Sequence, residues 1–459
     1  MVRSISIVGA GPAGSLLSVY LARLGFAVTV FERRPDLREV DISAGRSINL
    51  ILANRGIAAL NEVGLKKNLD HVLTPVMGRM LHDLTGSLEF QAYGSKPHEV
   101  NYSVSRGALN SLLLDEAEAT GKVDIRFNQD CVGVNFEERQ LTLKDHDSGE
   151  EYQHSFDCVF GTDGSASAVR EGIVHATGAA LDISPLGHSY KELILPAGAS
   201  GEFQIDENSL HIWPRGQFML MALPDVGGSF TITLFIPTRG QEFCIEALQD
   251  EASLMAFFEA CFPDFIPYVP DLAQQFFKNP TGDLATVRCS GWAYQDKGVI
   301  LGDAAHAVVP FHGQGMNAAF ESCRELNIQL QSYPDDWTAA FAQFEQTRIP
   351  NTNALADMAL DNYVEMRSGV TDPRYVLKKA IAFELERRHP GRFIPRYSMV
   401  MFHTMPYGEA QARGAAQNEL LNRLTESATG MEQVDLERAD SLIMSSDLLK
   451  HPASEDVVV

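Results

Sequence analysis

Two stretches carry residue types whose spacing could do chemistry. The first is Gly9-Ala-Gly11-Pro-Ala-Gly14, which follows the apolar run Ser4–Val8. Leu16, Leu17, Tyr20, Leu21 and Leu24 then fall at helical spacing, Gly25 ends the run, and Glu32 closes the next apolar segment, Phe26–Phe31. This is G-x-G-x-x-G between a strand and a helix with a carboxylate about 20 residues on, a pattern that holds a dinucleotide. Gly9 allows the tight turn, Gly11 lets the backbone approach a pyrophosphate, and Gly14 lets the helix lie close on the strand. Glu32 is placed to accept hydrogen bonds from an adenosine ribose. FAD and NAD(P) both meet that description. Arg33 and Arg34 offer a site for a 2′-phosphate, but the acidic strand end before them favours an unphosphorylated ribose.

The second stretch is Val299–Asn317. Gly298 to Leu301 reads as a buried strand ended by Gly302-Asp303, and Pro310, Gly313 and Gly315 punctuate a loop. Met316, Ala319, Phe320, Cys323, Leu326 and Leu330 then recur at helical spacing, so a helix starts near Gly315. A carboxylate at a strand end and a glycine-rich turn opening a helix suit a polyol and a site of developing negative charge. Asp163-Gly164 again ends a strand and opens a helix, although by itself it is also an ordinary turn.

The remaining composition narrows the partners. The chain has 459 residues, 45% apolar and 21% charged, as expected of a globular protein with two or three domains. A net charge of -23 argues against nucleic acid or an anionic membrane as the main partner. It leaves room for a small anionic substrate, which needs only one or two local cations. The six cysteines form no C-x-x-C pair and read as reduced thiols. The thirteen histidines show neither H-x-x-x-H nor H-E-x-x-H, so no metal site is expected. Glycines and Pro12 break the apolar N-terminal run, and no run approaches the roughly 20 apolar residues of a spanning helix. The expected location is the cytoplasm, with the oligomeric state, a homodimer included, left open.

Several elements must position these stretches. A strand leaving a basic turn is expected over Gly45–Ile51, followed by a helix over 54–63. Short strands are expected over 78–82, 88–93 and 100–104, a helix after Arg106 over 107–119, and strands over 123–127, 141–144 and 156–160. Residues 187–287 read as an antiparallel sheet with strands over 188–195, 210–213, 218–223 and 229–236, interrupted by a helix over 253–261. Helices follow over 337–366, 373–388 and 408–424, and a disordered tail is expected from Ser454.

Taken in order, Gly9–Glu32, Gly161–Arg170 and Leu301–Asn317 resemble the class A flavoprotein aromatic hydroxylases, related to p-hydroxybenzoate hydroxylase. The resemblance implies an α/β fold in three parts. These are a discontinuous Rossmann-like FAD-binding domain (1–70, 105–178 and 283–335), an antiparallel-sheet substrate domain (71–104 and 179–282) and a helical C-terminal region (336–459). It implies FAD as cofactor and NADPH or NADH as a visiting co-substrate without its own domain. It extends the cofactor set to Arg33, Ile51, Arg106, Cys131 and Asp163, and places Asp303 on the ribitol. Pro310 to Gly315 would lie along the isoalloxazine, with the amides of Gly315, Met316 and Asn317 aimed at N1 and the C2 carbonyl.

Further motifs are closer to the kynurenine-hydroxylating branch of that family. They include Gly45-Arg-Ser-Ile-Asn-Leu50, Gly78-Arg79-Met80, Tyr93-Gly94, Tyr190-Lys-Glu-Leu193, His211-Ile-Trp-Pro214, Asn362-Tyr-Val-Glu-Met366 and Arg392-Phe-Ile-Pro-Arg-Tyr-Ser-Met-Val400. The resemblance implies hydroxylation of L-kynurenine ortho to its aniline nitrogen, using NAD(P)H and O2 through a C4a-hydroperoxyflavin. Arg79, Tyr93, Asn362 and Tyr397 would hold the amino-acid end. A guanidinium can grip a carboxylate bidentately, tyrosine hydroxyls can complete its hydrogen bonding, and Asn362 offers a donor and an acceptor. Leu223, Phe235, Phe311 and Met366, with Met219 and Met221, are expected to line the aromatic end. An aniline donates its lone pair without losing a proton, so no catalytic acid or base is nominated. His312 is a candidate proton relay, although eukaryotic members carry phenylalanine there, and His306 is read as stabilising the loop. The membrane-spanning tail of eukaryotic members has no counterpart, so no anchor is expected. The alternatives are a hydroxylase of another aromatic acid, or a flavin-binding redox sensor without turnover.

Overall fold

The computed structural model describes residues 4–39 and 49–452. Gly45–Ile48 of the expected first basic turn, and the tail from Ser454, lie outside the described residues. The dinucleotide pattern folds as its glycines dictate: strand Ile5–Val8, helix Pro12–Arg23, strand Val28–Phe31. These strands join Cys158–Gly161, Gly298–Ile300 and Val123–Arg126 in a parallel sheet, with Ala293–Tyr294 as an antiparallel edge. All four residues of Ile5–Val8 and of Cys158–Gly161 are buried, as expected of parallel strands covered on both faces. Strand ends 8, 161 and 300 therefore lie side by side. That register brings Gly9, Asp163 and Asp303, far apart in sequence, to one edge of the sheet.

A second, seven-stranded sheet is ordered Thr281–Cys289, Leu181–Leu195, Phe230–Pro237, Phe218–Pro224, Ser209–Arg215, Gly78–His82, Leu88–Ala92. It is antiparallel except where Gly78–His82 runs parallel to Ser209–Arg215, a pairing that a wholly antiparallel expectation missed. Strand Asn101–Ser105 stays out of it and pairs with Asn49–Leu52 and Leu73–Val76 instead. Strand periodicity of two gives the large sheet two different faces. Leu193, Leu195, Leu220, Ile232, Leu234 and Ile236 pack with Phe257 and Phe258 of helix Glu251–Cys261. Met219, Leu223 and Phe235 point the other way, into a core shared with Phe311, Tyr363, Met366 and Met399.

Helices Trp337–Ser368, Pro373–Arg388, Arg396–Met401 and Tyr407–Leu424 close over that second face. Among the described residues no helix is long and apolar enough to cross a membrane. The expectation omitted strands Gln129–Asn135 and Glu151–Ser155, which flank Gln140–Asp145 in a small antiparallel sheet. Both are rich in polar residues and only partly covered, so their alternation carries little hydrophobic signal.

One buried charge ties the helical region to the dinucleotide domain. Arg55, in helix Asn54–Glu62, donates to Glu321 Oε1 at 2.6 Å, to Met405 O at 2.8 Å and to Val400 O at 3.3 Å. Its guanidinium also lies 3.9 Å from the Tyr407 ring centroid. Arg348 takes the other Glu321 oxygen at 2.5 Å, so the carboxylate bridges two cations. Removing one partner of a buried pair costs about 3–5 kcal/mol. Arg55→Ala is therefore expected to lower the melting temperature and to loosen residues 396–407, measured by thermal unfolding and hydrogen exchange. Unchanged protection there would disprove the tie.

Candidate active site

The cofactor cradle begins at the glycines. Gly9 has φ +97°, and a side chain there would meet Thr162 O at 2.5 Å; one on Gly14 would meet Gly9 O at 1.9 Å. Nothing lies within 4 Å of the side-chain direction at Gly11, which leaves room for a phosphate. Helix Pro12–Arg23 has no side-chain cap, so its first amides are free to meet an anion. Glu32 is buried and accepts from the Ala10 amide at 2.8 Å and from Arg34 Nε at 2.8 Å. Burial opposes its ionisation, but Arg34 and the Ala10 amide outweigh it and hold the carboxyl below its usual range. Arg34 thus closes on Glu32 while Arg33 is exposed, an arrangement that fits a free ribose hydroxyl better than a 2′-phosphate.

Asp163 is occupied locally. It accepts from Ser167 Oγ at 2.5 Å and from the Val169 amide at 3.2 Å, at the start of helix Ala168–Thr177. Cys131 lies close enough to feel it: burial, then the Asp163 charge, pushes the thiol up to about 12. Asp303 follows Gly302, whose φ is +63°, and opens the short helix Asp303–His306. Its side chain is reached by solvent in an otherwise protein-walled cleft. Burial of that cleft raises its carboxyl and Arg106 lowers it. Arg106 begins helix Arg106–Ala119 behind the Ser105 cap and acts on Glu192 of the large sheet as well.

The loop between them is pinned by Asn317. Its Oδ1 accepts from the Ala53 amide at 2.9 Å, and its Nδ2 donates to Ile51 O at 2.8 Å and Gly313 O at 2.9 Å. The Asn317 side chain is thereby spent on the protein. The free groups are the amides of Gly315, Met316 and Asn317, since the first hydrogen bond of helix Gly315–Ser332 runs from Ala318 to Gln314 O. Gly313 has φ +64°, and a side chain there would meet Ile51 Cβ at 3.1 Å. Pro310 is exposed on the single turn Pro310–His312, and Phe311 and His312 are buried. Glycine cradle, ionised Glu32, solvent-facing Asp303 and uncapped helix start fit the ends and the ring of FAD.

A cavity of about 580 Å³ opens beside this loop, lined by Arg79, Tyr93, His312, Asn362, Glu365 and Tyr397 among others. Arg79 is buried, with its guanidinium 5.6 Å from each of the Tyr93 and Tyr397 rings, which stack at 4.8 Å. Asn101 Nδ2 donates to the Tyr397 hydroxyl at 3.1 Å. Arg79 Nη1 donates to Glu365 Oε1 at 3.2 Å, yet its buried Nε has no acceptor among the described residues. An orphaned donor on a buried guanidinium fits an incoming carboxylate. Asn362 Nδ2 is used by Phe311 O at 2.6 Å and Met366 Sδ at 3.3 Å, leaving the Oδ1 acceptor to offer. The donor-and-acceptor role foreseen for Asn362 is thus halved.

The apolar candidates share one core cluster, and none of them is among the residues lining that cavity. Phe235 and Phe311 meet edge to face at 4.9 Å, Phe311 stacks on Tyr363 at 4.0 Å, and Leu223, Met219 and Met366 share the cluster, with Met221 packed against it. Glu365 and Tyr375 were not foreseen. Tyr375 donates to Glu365 Oε1 at 2.7 Å, and although burial opposes it, Arg79 and Tyr375 hold the Glu365 carboxyl below its usual range. Glu365 sits three residues after Asn362, hence on the same helix face, a signal that was present in the sequence.

His312 is buried, its Nδ1 has no partner, and its ring lies 5.9 Å from that of Tyr397. His306 packs on Trp292 and meets Ser322 Oγ at 3.2 Å, a loop-holding position. Burial brings His312 and His211 down to about 4 and His306 down to about 3. A relay through His312 would therefore involve the neutral ring.

The family comparisons agree with this geometry. Residues 2–183 match a family model described as an FAD binding domain. The tetrameric form of 2-methyl-3-hydroxypyridine-5-carboxylic acid oxygenase shares the fold at a TM-score of 0.65 and 21% identity, covering 84% of this chain and 97% of that one. PqsL of Pseudomonas aeruginosa in complex with 2-aminobenzoylacetate does so at 0.62 and 20%, covering 80% and 97%. The chain is an FAD-dependent flavoprotein of the aromatic-hydroxylase fold. The kynurenine 3-monooxygenase of Myxococcus xanthus is 46% identical over 96% of this chain and 95% of its own length. Those of Flavobacterium johnsoniae and Stenotrophomonas maltophilia are each 41% identical, over 92% and 94% of this chain and 93% and 94% of their own. The chain belongs to the kynurenine 3-monooxygenase family.

The strongly depressed histidines His211, His306 and His312 make stability depend on pH with a definite sign. Below their ordinary value of 6.5 the unfolded chain binds protons that the folded chain refuses until about 4 or 3. The stability gained by keeping them neutral is whole above pH 6.5 and is lost as pH falls toward the folded values. Histidine NMR is expected to show three rings that do not titrate between pH 8 and 5, alongside a falling melting temperature below pH 6.5. Ordinary titration of all thirteen histidines would refute this.

Proposed function

We propose that this chain hydroxylates L-kynurenine at the ring carbon ortho to the aniline nitrogen, giving 3-hydroxy-L-kynurenine, with NADPH and O2 as co-substrates of its FAD. The observation that carries the reading is Arg79: a buried guanidinium with an unused Nε, framed by two stacked tyrosines, in a cavity that also reaches the loop at His312. Glu365 already occupies one edge of that guanidinium as a carboxylate would. The substrate carboxylate takes the Arg79 edge, and Asn362 Oδ1 is an acceptor for its ammonium. The aniline ring then points toward Phe235, Phe311, Leu223 and Met366, which exclude water from it.

When bound, FAD supplies the two-electron chemistry with NADPH and the activation of O2. Glu32, Asp303 and the amides of residues 315–317 hold and orient it, and the helix start favours negative charge on the ring. An aniline needs no deprotonation to be attacked, so no catalytic base is required. His312, neutral and stacked on Tyr397, is positioned to move a proton by exchanging tautomers. All six cysteines are free thiols, which suits the reducing cytoplasm where we place the enzyme.

The purified protein is expected to be yellow, to oxidise NADPH faster when L-kynurenine is added, and to release a product heavier by one oxygen atom. No stimulation and no oxygen gain would sink the reading. In Arg79→Ala the loss of a buried charge-assisted contact costs about 2–5 kcal/mol, so kcat/KM should drop by roughly 30-fold or more, chiefly through KM. An unchanged KM would remove Arg79 from the site.

A further inference from the structure

The cavity extends past Arg79 toward solvent between helices Trp337–Ser368, Pro373–Arg388 and Tyr407–Leu424, and four cations stand around its outer part: Arg374, Lys378, Lys379 and Arg396. Three of them are engaged. Arg374 donates to Thr425 Oγ1, Lys378 to Asn422 Oδ1 and Arg396 to Asp361. Lys379 makes no hydrogen bond or ion pair with any described residue, and its amine lies 5.9 Å from the Phe383 ring centroid. It stands one helical turn after Tyr375, so both side chains share the helix face that looks into the cavity. Tyr375 holds Glu365, Glu365 holds Arg79, and Lys379 is the next cation outward. Half-burial and Arg79 lower its amine to about 8 against Glu365 and Glu89, so it is charged at neutral pH.

A half-buried ammonium without a partner is costly, and a chain of net charge -23 repels anions overall. Both facts are accounted for if the partner arrives with the substrate. We propose that Lys379 is the capturing cation at the mouth of this cavity, drawing in the carboxylate of an aromatic amino acid and passing it inward to Arg79. This rests on the substrate reading above. Lys379 acts on arrival, not on the ring chemistry, so it selects acids over uncharged aromatics by their rate of capture. Electrostatic capture appears in the association rate and weakens as salt screens it, whereas a purely structural lysine would show neither effect.

The test is stopped-flow mixing of the holoenzyme with L-kynurenine, without oxygen or NADPH, read by the change in flavin absorbance. The substrate is a zwitterion drawn in by its carboxylate end alone, so in the native protein the association rate should fall modestly between about 20 mM and about 300 mM NaCl. Lys379→Gln should be slower by about 5- to 10-fold at low salt with a nearly flat salt dependence, Lys379→Glu slower still, and Lys379→Arg close to native. L-Kynurenine methyl ester, which lacks the carboxylate and is a net cation, should not be slowed by Lys379→Gln. Turnover at saturating substrate should stay within about twofold. An unchanged rate and salt slope in Lys379→Gln overturns the capture role alone. A raised dissociation rate with lost turnover overturns it too, in favour of a contact in the bound state. If L-kynurenine leaves the native flavin spectrum unchanged, the substrate reading fails and takes this proposal with it.

Discussion

A buried guanidinium cannot be left alone, and much of this structure is arranged around that of Arg79. Its strand, Gly78–His82, is one of seven in the large sheet, yet its partners come from elsewhere. Tyr93 follows the next strand, Glu365 lies on the long helix Trp337–Ser368, Tyr375 on the helix after it, and Tyr397 on a third. Taking a charge out of water costs several kcal/mol unless opposite charge and hydrogen bonds surround it. The helical region therefore has to close over the sheet for Arg79 to be tolerable. Closing it builds the cavity.

The second constraint is the joint at Asn317. One amide side chain bonds three backbone groups, from strand Asn49–Leu52, from its following turn and from Gly313. That joint sets the loop 310–315 against Ile51 and leaves the helix-start amides free. Asn362 holds the same loop from the opposite side through Phe311 O. The loop is thus clamped between the dinucleotide domain and the helical region. An enzyme of this kind needs both reactants held at fixed spacing in a dry site, and two asparagines supply much of that fixity.

Period-two alternation in the large sheet divides the chemistry from the packing. Met219, Leu223 and Phe235 face the core they share with Phe311 and Tyr363, while their neighbours Leu220, Ala222 and Leu234 face helix Glu251–Cys261. A one-residue slip would exchange the two sets. The same parity puts Glu192 and Tyr190 on the face of Phe235, opposite Thr233 and Phe235, where Arg106 reaches them.

Local physics is what made much of this legible from the residues alone. Gly9, Gly11, Gly14 and Glu32 are required by backbone geometry and hydrogen bonding within one strand–turn–helix unit, so their spacing suffices to place them. The strand end at Asp303 and the helix start at Gly315 are likewise short-range features, and Phe235, Leu223 and Met219 follow from alternation. What only the tertiary structure decided involves partners chosen across long separations. It directed Asn362 Nδ2 and Asn317 Nδ2 to backbone carbonyls and Asn317 Oδ1 to the Ala53 amide, turned Asp163 to its own helix, paired Glu365 with Arg79, ran Gly78–His82 parallel to Ser209–Arg215, and left Lys379 at the mouth without a hydrogen bond to any described residue. A side chain's type states what it can bond. Which of several reachable groups satisfies it depends on how the separate elements pack, and no local spacing encodes that.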